Sequence, residues 1–329
     1  MEKTKILITG GTGYIGSCLY ALLQKKFDIK ILDKNDKKKW QKISKKNFYK
    51  CNILNYKRTD QIIKKIKPTV IIHLASLSTV NEKFKLKNYF LNNVAATENI
   101  LKIMKKNNIK NIIYSSTASV YHMKNSKINE NSKIKPISKY GKTKLLSEKL
   151  IEKFDINYII FRFFNVASAV NNPMTGEFHN PETHLIPTLI NNLNNNKISK
   201  IFGKDYKTKD GTCIRDYIHI KDICNAIYLG IKSLKKKKNK KIINLGNGFG
   251  YSNMDIIRSV NKITKKKIKF KISKKRKGDQ PMLVCDIKKS KKLLNWKPKF
   301  SSLDKIIKDE IQWSSYLIKR SYKRKFLYG

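Results

Sequence analysis

Short apolar runs and stretches with helix-spaced apolar residues alternate along the first half of the chain. The runs predict strands at Ile6–Thr9, Ile29–Leu32, Phe48–Ile53, Val70–Ala75, Ile112–Ser116 and Asn157–Phe164. Between them the spacing predicts helices over Tyr14–Gln24, Tyr56–Lys65, Tyr89–Met104 and Tyr140–Lys153. Val70-Ile-Ile is apolar throughout, as a central strand buried on both faces must be. Strand and helix in regular alternation predict a parallel sheet covered by helices, an α/β architecture. The regularity then breaks. Asn171–Pro187 reads as irregular and polar, followed by a helix over Leu185–Leu193 and short strands at Lys200–Phe202 and Tyr217–His219. A helix over Lys221–Leu234 ends in a lysine run at 235–238, read as a solvated loop. A strand over Ile242–Leu245 enters the glycine cluster Gly246–Gly250, a tight turn into a helix over Ser252–Ile263 with Ser252 as its cap. Helices over Asp286–Leu294 and Leu303–Leu317 follow, and the last dozen basic residues read as loosely ordered. This divides the chain into a first domain over 1–170, to which segments near 213–235 return, and a second, smaller α/β domain over 171–329.

The turn after the first strand carries Gly10, Gly13 and Gly16 at spacings of three, and the second strand ends on Asp33. A glycine-rich turn at a helix N-terminus lets a pyrophosphate reach backbone N–H groups, and an acidic residue about 20 positions on accepts the ribose hydroxyls of an adenosine. The first domain therefore reads as a Rossmann-type doubly wound sheet with a dinucleotide site. Asn35 falls close to the ribose, Asn52 can hydrogen-bond an adenine amine and Ile53 can pack on its ring. Ser115, Ser116 and Thr117 form a hydroxyl cluster at the C-terminal end of the fifth strand, where ligands bind in open α/β sheets. Tyr140 and Lys144, four apart, share one face of a helix. An ammonium beside a tyrosine, together with the positive ring of a nicotinamide, favours the phenolate and brings a pKa of about 10 toward neutrality, so Tyr140 is a candidate base, with Thr117 holding the oxygen it deprotonates. His73, alone in an apolar strand, reads as a packed core residue.

Composition adjusts this picture at two points. Five scattered cysteines without CxxC spacing indicate reduced thiols in a cytoplasm and neither a disulfide frame nor a zinc site; no metal site is expected. No run approaches the roughly 18 apolar residues of a membrane span, and no signal peptide is read, so no membrane partner is expected. The 73 Lys+Arg against 23 Asp+Glu leave a net charge of +50, which raises nucleic acid as a partner. Yet lysine, asparagine and isoleucine are abundant together, in loops and helices alike, and the lysines form no single face interleaved with aromatics. That is the pattern of AT-rich coding drift. No nucleic-acid partner is expected, although the field should draw anionic ligands inward.

Longer blocks carry a resemblance. Phe161-Arg-Phe-Phe-Asn165-Val-Ala-Ser-Ala is close to an RYFNVAGA block. Gly176-Glu-Phe-His179-Asn-Pro-Glu-Thr-His184-Leu-Ile-Pro187 matches a characteristic insertion. The stretch from Phe202 to His219 matches FGxDYxTxDGTxxRDYIH, and Lys275-Arg276-Lys-Gly-Asp279 with Leu294-Asn-Trp296-Lys-Pro298 completes the pattern. Over nearly its whole length the chain resembles the extended short-chain dehydrogenase/reductase family, and its second half resembles the UDP-hexose 4-epimerases within it. The resemblance implies interconversion of UDP-galactose and UDP-glucose through a 4-keto sugar, with tightly held NAD, in a homodimer formed through helices around Leu91–Met104 and Leu145–Phe154. It implies that Gly10, Gly13, Tyr14, Ile15 and Gly16 cradle the NAD pyrophosphate and that Asp33, Asn35, Asn52 and Ile53 hold its adenosine. Leu74, Ala75, Asn93 and Phe164 would line the cofactor pocket. Thr117 and Tyr140 would be the catalytic pair, and Lys144 would bond the nicotinamide ribose. Asn165, His184 and Leu185 would meet the sugar nucleotide, Ile201 and Phe202 would frame the uracil, and Arg215, Arg276 and Asp279 would hold the diphosphate and its ribose. Guanidinium forks suit diphosphates better than ammonium groups, so Arg215 and Arg276 stand out in a lysine-rich chain on chemistry alone.

The chain departs from the family pattern at Asn52 (usually Asp), Phe163 (usually Tyr) and Ser168 (usually Gly). Leu283 falls where side-chain size is linked to N-acetylated sugars, which leaves UDP-N-acetylglucosamine open as a substrate. A dehydratase of the family would carry an Asp-Glu pair after the hydroxyl residue, where Ala118 and Ser119 stand. A UDP-uronic acid epimerase and a nucleic-acid binder on the same fold are the remaining alternatives.

Overall fold

The structure, a computed structural model, describes residues 3–327 apart from 39–40, 79–83, 123–125, 173, 180–181, 235–238 and 277–279, and the side chains of 321–327. The lysine run at 235–238 and Asp279 thus lie outside the described residues. In chain order the first half comprises β1 (Lys5–Thr9), α1 (Tyr14–Leu23), β2 (Asp28–Asp33), β3 (Phe48–Lys50), α2 (Tyr56–Ile66), β4 (Val70–His73), α3 (Leu86–Tyr89), α4 (Ala96–Lys106), β5 (Asn111–Thr117), α5 (Lys139–Glu152) and β6 (Asn157–Phe163). The second half comprises β7 (Asn165–Ala167), β8 (Ala169–Asn171), β9 (Met174–Gly176), α6 (Leu185–Asn194), β10 (Ser199–Phe202), β11 (Ile214–Arg215), β12 (Tyr217–His219) and α7 (Ile220–Ser233). It ends with β13 (Lys240–Leu245), β14 (Tyr251–Ser252), α8 (Asn253–Thr264), β15 (Phe270–Ser273), β16 (Met282–Leu283), α9 (Lys288–Leu294) and α10 (Leu303–Leu327).

Seven parallel strands form the central sheet in the order β13-β6-β5-β4-β1-β2-β3. The chain reverses its direction of winding between β1 and β4, which opens a crevice at the C-terminal ends of those strands. Successive side chains of β1 serve opposite faces. Ile6 and Ile8 join α1 and α7 in one core, while Leu7 joins α2 and α4 in another. A third core, built on α6, α8 and α10, supports the second half of the chain.

Most predicted elements are present with shifted ends, and some differ. The third strand stops at Lys50, because the chain turns at once and the Asn55 N–H donates to the Asn52 carbonyl at 2.9 Å. The long helix over Tyr89–Met104 starts earlier, at Leu86, and is interrupted by a wide π turn over Phe90–Ala95. An antiparallel hairpin, β8 with β9, leads into the polar stretch Asn171–Pro187 and takes up its first residues. The glycine cluster after β13 includes Gly248 at φ +86° and leads first into β14, then into α8. Ser252 does cap α8, in a reciprocal pair with Asp255. The last helix runs on to Leu327, through residues read as loosely ordered. His73 is a core residue, fully buried between the hydroxyls of Thr9 and Thr97.

One buried ion pair fixes α5 against the sheet. Arg162 of β6 and Glu148 of α5 are each about 2% exposed or less. The guanidinium donates to both carboxylate oxygens, Nη2 to Oε2 at 2.5 Å and Nε to Oε1 at 3.0 Å. Ser116 of β5 donates to the same carboxylate, and Arg162 Nη1 donates to the Tyr121 hydroxyl at 2.8 Å. Removing one partner of such a pair strands the other charge in a dry interior. Arg162→Met should therefore lower the unfolding free energy by about 3–5 kcal/mol. Urea titration checks this; a loss under about 1 kcal/mol would mean the pair carries little.

Candidate active site

The crevice is a cleft of about 1060 Å³, large enough for more than one ligand of ordinary size. One end is the glycine turn. Gly10 has φ +72°, the left-handed region that glycine occupies without steric cost. A Cβ at Gly10 would lie 2.6 Å from the Ala75 nitrogen, and a Cβ at Gly16 would lie 2.6 Å from the Gly10 carbonyl. Only hydrogen at these positions lets the turn lie flat on the end of β4 and the start of α1. The Asp33 carboxylate, nearly buried, accepts from the N–H of Thr12 at 3.0 Å and of Asn35 at 2.9 Å. The turn and the end of β2 are thus locked together, with a carboxylate at the cleft edge. Gly10, Gly13, Tyr14, Ile15, Gly16, Asp33, Asn35, Asn52, Ile53, Leu74 and Ala75 all line this end. Such a cradle fits the pyrophosphate and ribose of a dinucleotide.

Two of these side chains also bond within the protein. The Tyr14 hydroxyl donates to the Ser168 carbonyl at 2.5 Å, which leaves its backbone, not its ring hydroxyl, to meet a phosphate. Ser168 itself has φ +77°, which accounts for the glycine usual at that position. Its hydroxyl is held by His219 Nε2 at 3.0 Å. The side-chain carbonyl of Asn52 accepts from Leu54 N–H at 3.1 Å, as an aspartate there could, and keeps one lone pair for a ligand.

Midway along the cleft, Thr117 ends β5 and Tyr140 opens α5, the latter set by the Ser138 side chain capping the helix at Gly141 N–H, 3.0 Å. Both line the cleft, and the Thr117 hydroxyl faces the Tyr140 phenol closely enough to favour its ionised form. Lys144 sits one turn on, 1% exposed, with its ammonium 4.3 Å from the centre of the Tyr114 ring. Burial pushes the Lys144 amine down to about 7, against a smaller opposing pull from Glu148. Burial pushes the Tyr140 phenol up to about 12, against the hydrogen bond from Thr117. The expected lowering of the tyrosine pKa counted on the nicotinamide ring as well as the ammonium; the chain's own groups leave the phenol above its ordinary value.

The far end of the cleft is lined by Phe164, Asn165, His184 and Leu185, together with Glu177, Phe178 and His179. Five other predicted residues lie outside the cleft lining. Asn93 lies behind the wall: it is 1% exposed, its carbonyl accepts from Leu77 N–H at 2.7 Å and its amide donates to Thr143 at 3.0 Å. It orients the residue next to Lys144 and does not face the cleft. Ile201 is likewise 1% exposed and packs in the third core, because its position in β10 points it inward, so its side chain cannot frame a uracil. Arg215 is partly engaged already, donating from Nη1 to the carbonyls of Ile214 at 2.9 Å and Gln280 at 2.7 Å. Arg276 lies flat on the Phe202 ring, 4.0 Å from its centre. Phe202 and Arg276 stand together at the ends of β10 and β15 and Arg215 ends β11, and none of the three is part of the cleft lining. The Glu148–Arg162 pair that seats α5 was missed, although Arg162 lies inside a block singled out by resemblance.

The Lys144 shift has a measurable consequence. The folded amine loses its proton near pH 7, while in the unfolded chain it keeps it to about 10.5. Between these values the unfolded state binds more protons, so this group adds stability as pH rises. The stability difference between wild type and Lys144→Met should grow in favour of wild type from pH 7 to 9.5, read by urea unfolding. Parallel pH profiles would contradict the buried amine.

Comparison with known proteins agrees with this geometry. The family model described as NAD dependent epimerase/dehydratase family matches residues 6–246. The chain is 37% identical over 316 residues to the UDP-glucose 4-epimerase of Halalkalibacterium halodurans, covering 94% of this chain and 95% of the relative. It superposes with a TM-score of 0.89 on the UDP-glucose 4-epimerase of Brucella ovis, solved in complex with NAD, at 30% identity over 94% of this chain and 98% of that one. The Bifidobacterium longum UDP-glucose 4-epimerase, solved with NAD+ and UDP, gives a TM-score of 0.87 at 26% identity, covering 95% and 98%. The chain belongs to the NAD dependent epimerase/dehydratase family.

Proposed function

We infer that this protein interconverts UDP-galactose and UDP-glucose by inverting C4 of the hexose, using NAD that stays bound. The observation that carries the reading is the Thr117–Tyr140 hydroxyl pair, with Lys144 behind it, midway along a cleft that begins at the glycine cradle. Family membership and the high cover of UDP-glucose 4-epimerases support it. Bound NAD would supply a hydride acceptor and donor at the sugar carbon and, when oxidised, a positive charge beside Tyr140.

The chain's own residues do the rest. Backbone N–H groups of the Gly10–Gly16 turn hold the dinucleotide phosphates, and Asp33 accepts from its ribose. Thr117 holds the sugar's 4-oxygen by a hydrogen bond. Tyr140 takes the proton from that oxygen and returns it when the opposite epimer forms, while Lys144 supplies cationic charge that favours the phenolate. Arg215, Arg276 and Phe202 are the groups we assign to the UDP, which leaves the hexose loosely held and free to present either face. We assign 1–170, with α7 and β13, to cofactor binding and most of 171–329 to the sugar nucleotide. Leu86, Phe90, Leu91 and Leu146, all more than a third exposed on neighbouring helices, support a homodimer through this face. Five free, buried cysteines fit a reducing cytoplasm. Among the described residues, no helix is long and apolar enough to cross a membrane.

Purified protein given UDP-galactose, without added NAD, should form UDP-glucose. Tyr140→Phe should lower turnover by about 10²–10⁴-fold with UDP binding retained. Near-normal turnover by that variant would overturn the assignment of the base.

A further inference from the structure

At the far end of the cleft, the loop between β9 and α6 gathers Glu177, His179, Glu182 and His184. Their ligand atoms all lie within 4.8 Å of one another. Glu177 Oε1 is 3.1 Å from Nδ1 of both histidines, and His184 Nδ1 is 2.9 Å from Glu182 Oε1. The packing is tight but incompletely satisfied. His179 Nδ1, though at ion-pair distance from Glu177, makes no well-aligned hydrogen bond. A fifth group comes from α10, more than 120 positions away in sequence. Glu310 is 3% exposed, and its Oε2 has no hydrogen-bond partner among the described residues. It is buried facing Glu177, Glu182 and His184.

Three carboxyl groups thus face two imidazoles in a chain that is otherwise strongly positive. Two imidazole nitrogens and two carboxylate oxygens are a donor set for a borderline divalent ion, and four such ligands suit zinc. The rival arrangement is a set of ion pairs in which both histidines are protonated. It leaves the Glu310 oxygen unanswered.

We propose that Glu177, His179, Glu182 and His184 bind a divalent zinc-like cation, with Glu310 as the neighbouring carboxylate that completes the site. Such an ion would tie the loop that forms this wall of the cleft to the body of the protein beside α10. This goes against the expectation of no metal site, which rested on cysteine spacing and could not register histidines and glutamates grouped by a fold. The inference does not rest on the epimerase reading, and its test reads metal, not turnover.

The full-length protein is stripped with a chelator, dialysed against micromolar Zn²⁺, freed of excess and assayed for zinc by mass spectrometry and titration calorimetry. About one zinc per chain is expected, with a higher melting temperature in its presence. His179→Ala and the milder Glu182→Gln should each weaken zinc binding by at least about tenfold, since loss of even an outer-shell partner costs that much. Circular dichroism confirms that the variants are folded, and neither should gain melting temperature from zinc. Wild-type protein that retains no zinc, or folded variants that retain as much as wild type, would overturn the proposal.

Discussion

The contact on which the site depends is buried one turn beyond it. Glu148 of α5 meets Arg162 of β6 and Ser116 of β5 inside the protein, and this fixes both the rotation and the depth of the helix. Tyr140 and Lys144 lie two turns and one turn back along that helix. Thr117 is the residue after Ser116. A single charge cluster therefore sets the reach of the tyrosine to the threonine and the depth at which the lysine is buried. A surface ion pair could not do this, because solvent screening would leave it weak.

Depth has an electrostatic price on both sides of the pair. The phenol is harder to ionise and the amine easier to neutralise than in water. The chain alone thus favours a protonated tyrosine. The other end of the same cleft is a turn in which only glycine fits against Ala75 and Gly10.

Much of this was legible in the residues. Buried parallel strands are continuous apolar runs, so β1, β2, β4, β5 and β6 announce themselves. The glycine spacing, Asp33, and the four-residue interval from Tyr140 to Lys144 are local and survive translation into structure unchanged. What stayed hidden is non-local or depends on register. Nothing near Lys240–Leu245 says that it extends the first sheet beside β6, and nothing near Asn171 announces a hairpin. The inward turn of Asn93 needs a π segment that no periodicity signals. Ile201 could have been assigned to the core, since alternation in β10 buries Ser199 and Ile201 and exposes Lys200. Glu310 reaches the histidine loop only because α10 folds back on it.

The central claim is that one carbon loses and regains the same hydrogen within this cleft, while Tyr140 handles only the proton on oxygen. UDP-galactose carrying deuterium at C4 tests it most directly. The account predicts UDP-glucose that keeps deuterium at C4, formed in ordinary water with no added nicotinamide. Product that has exchanged that deuterium for solvent hydrogen would contradict it.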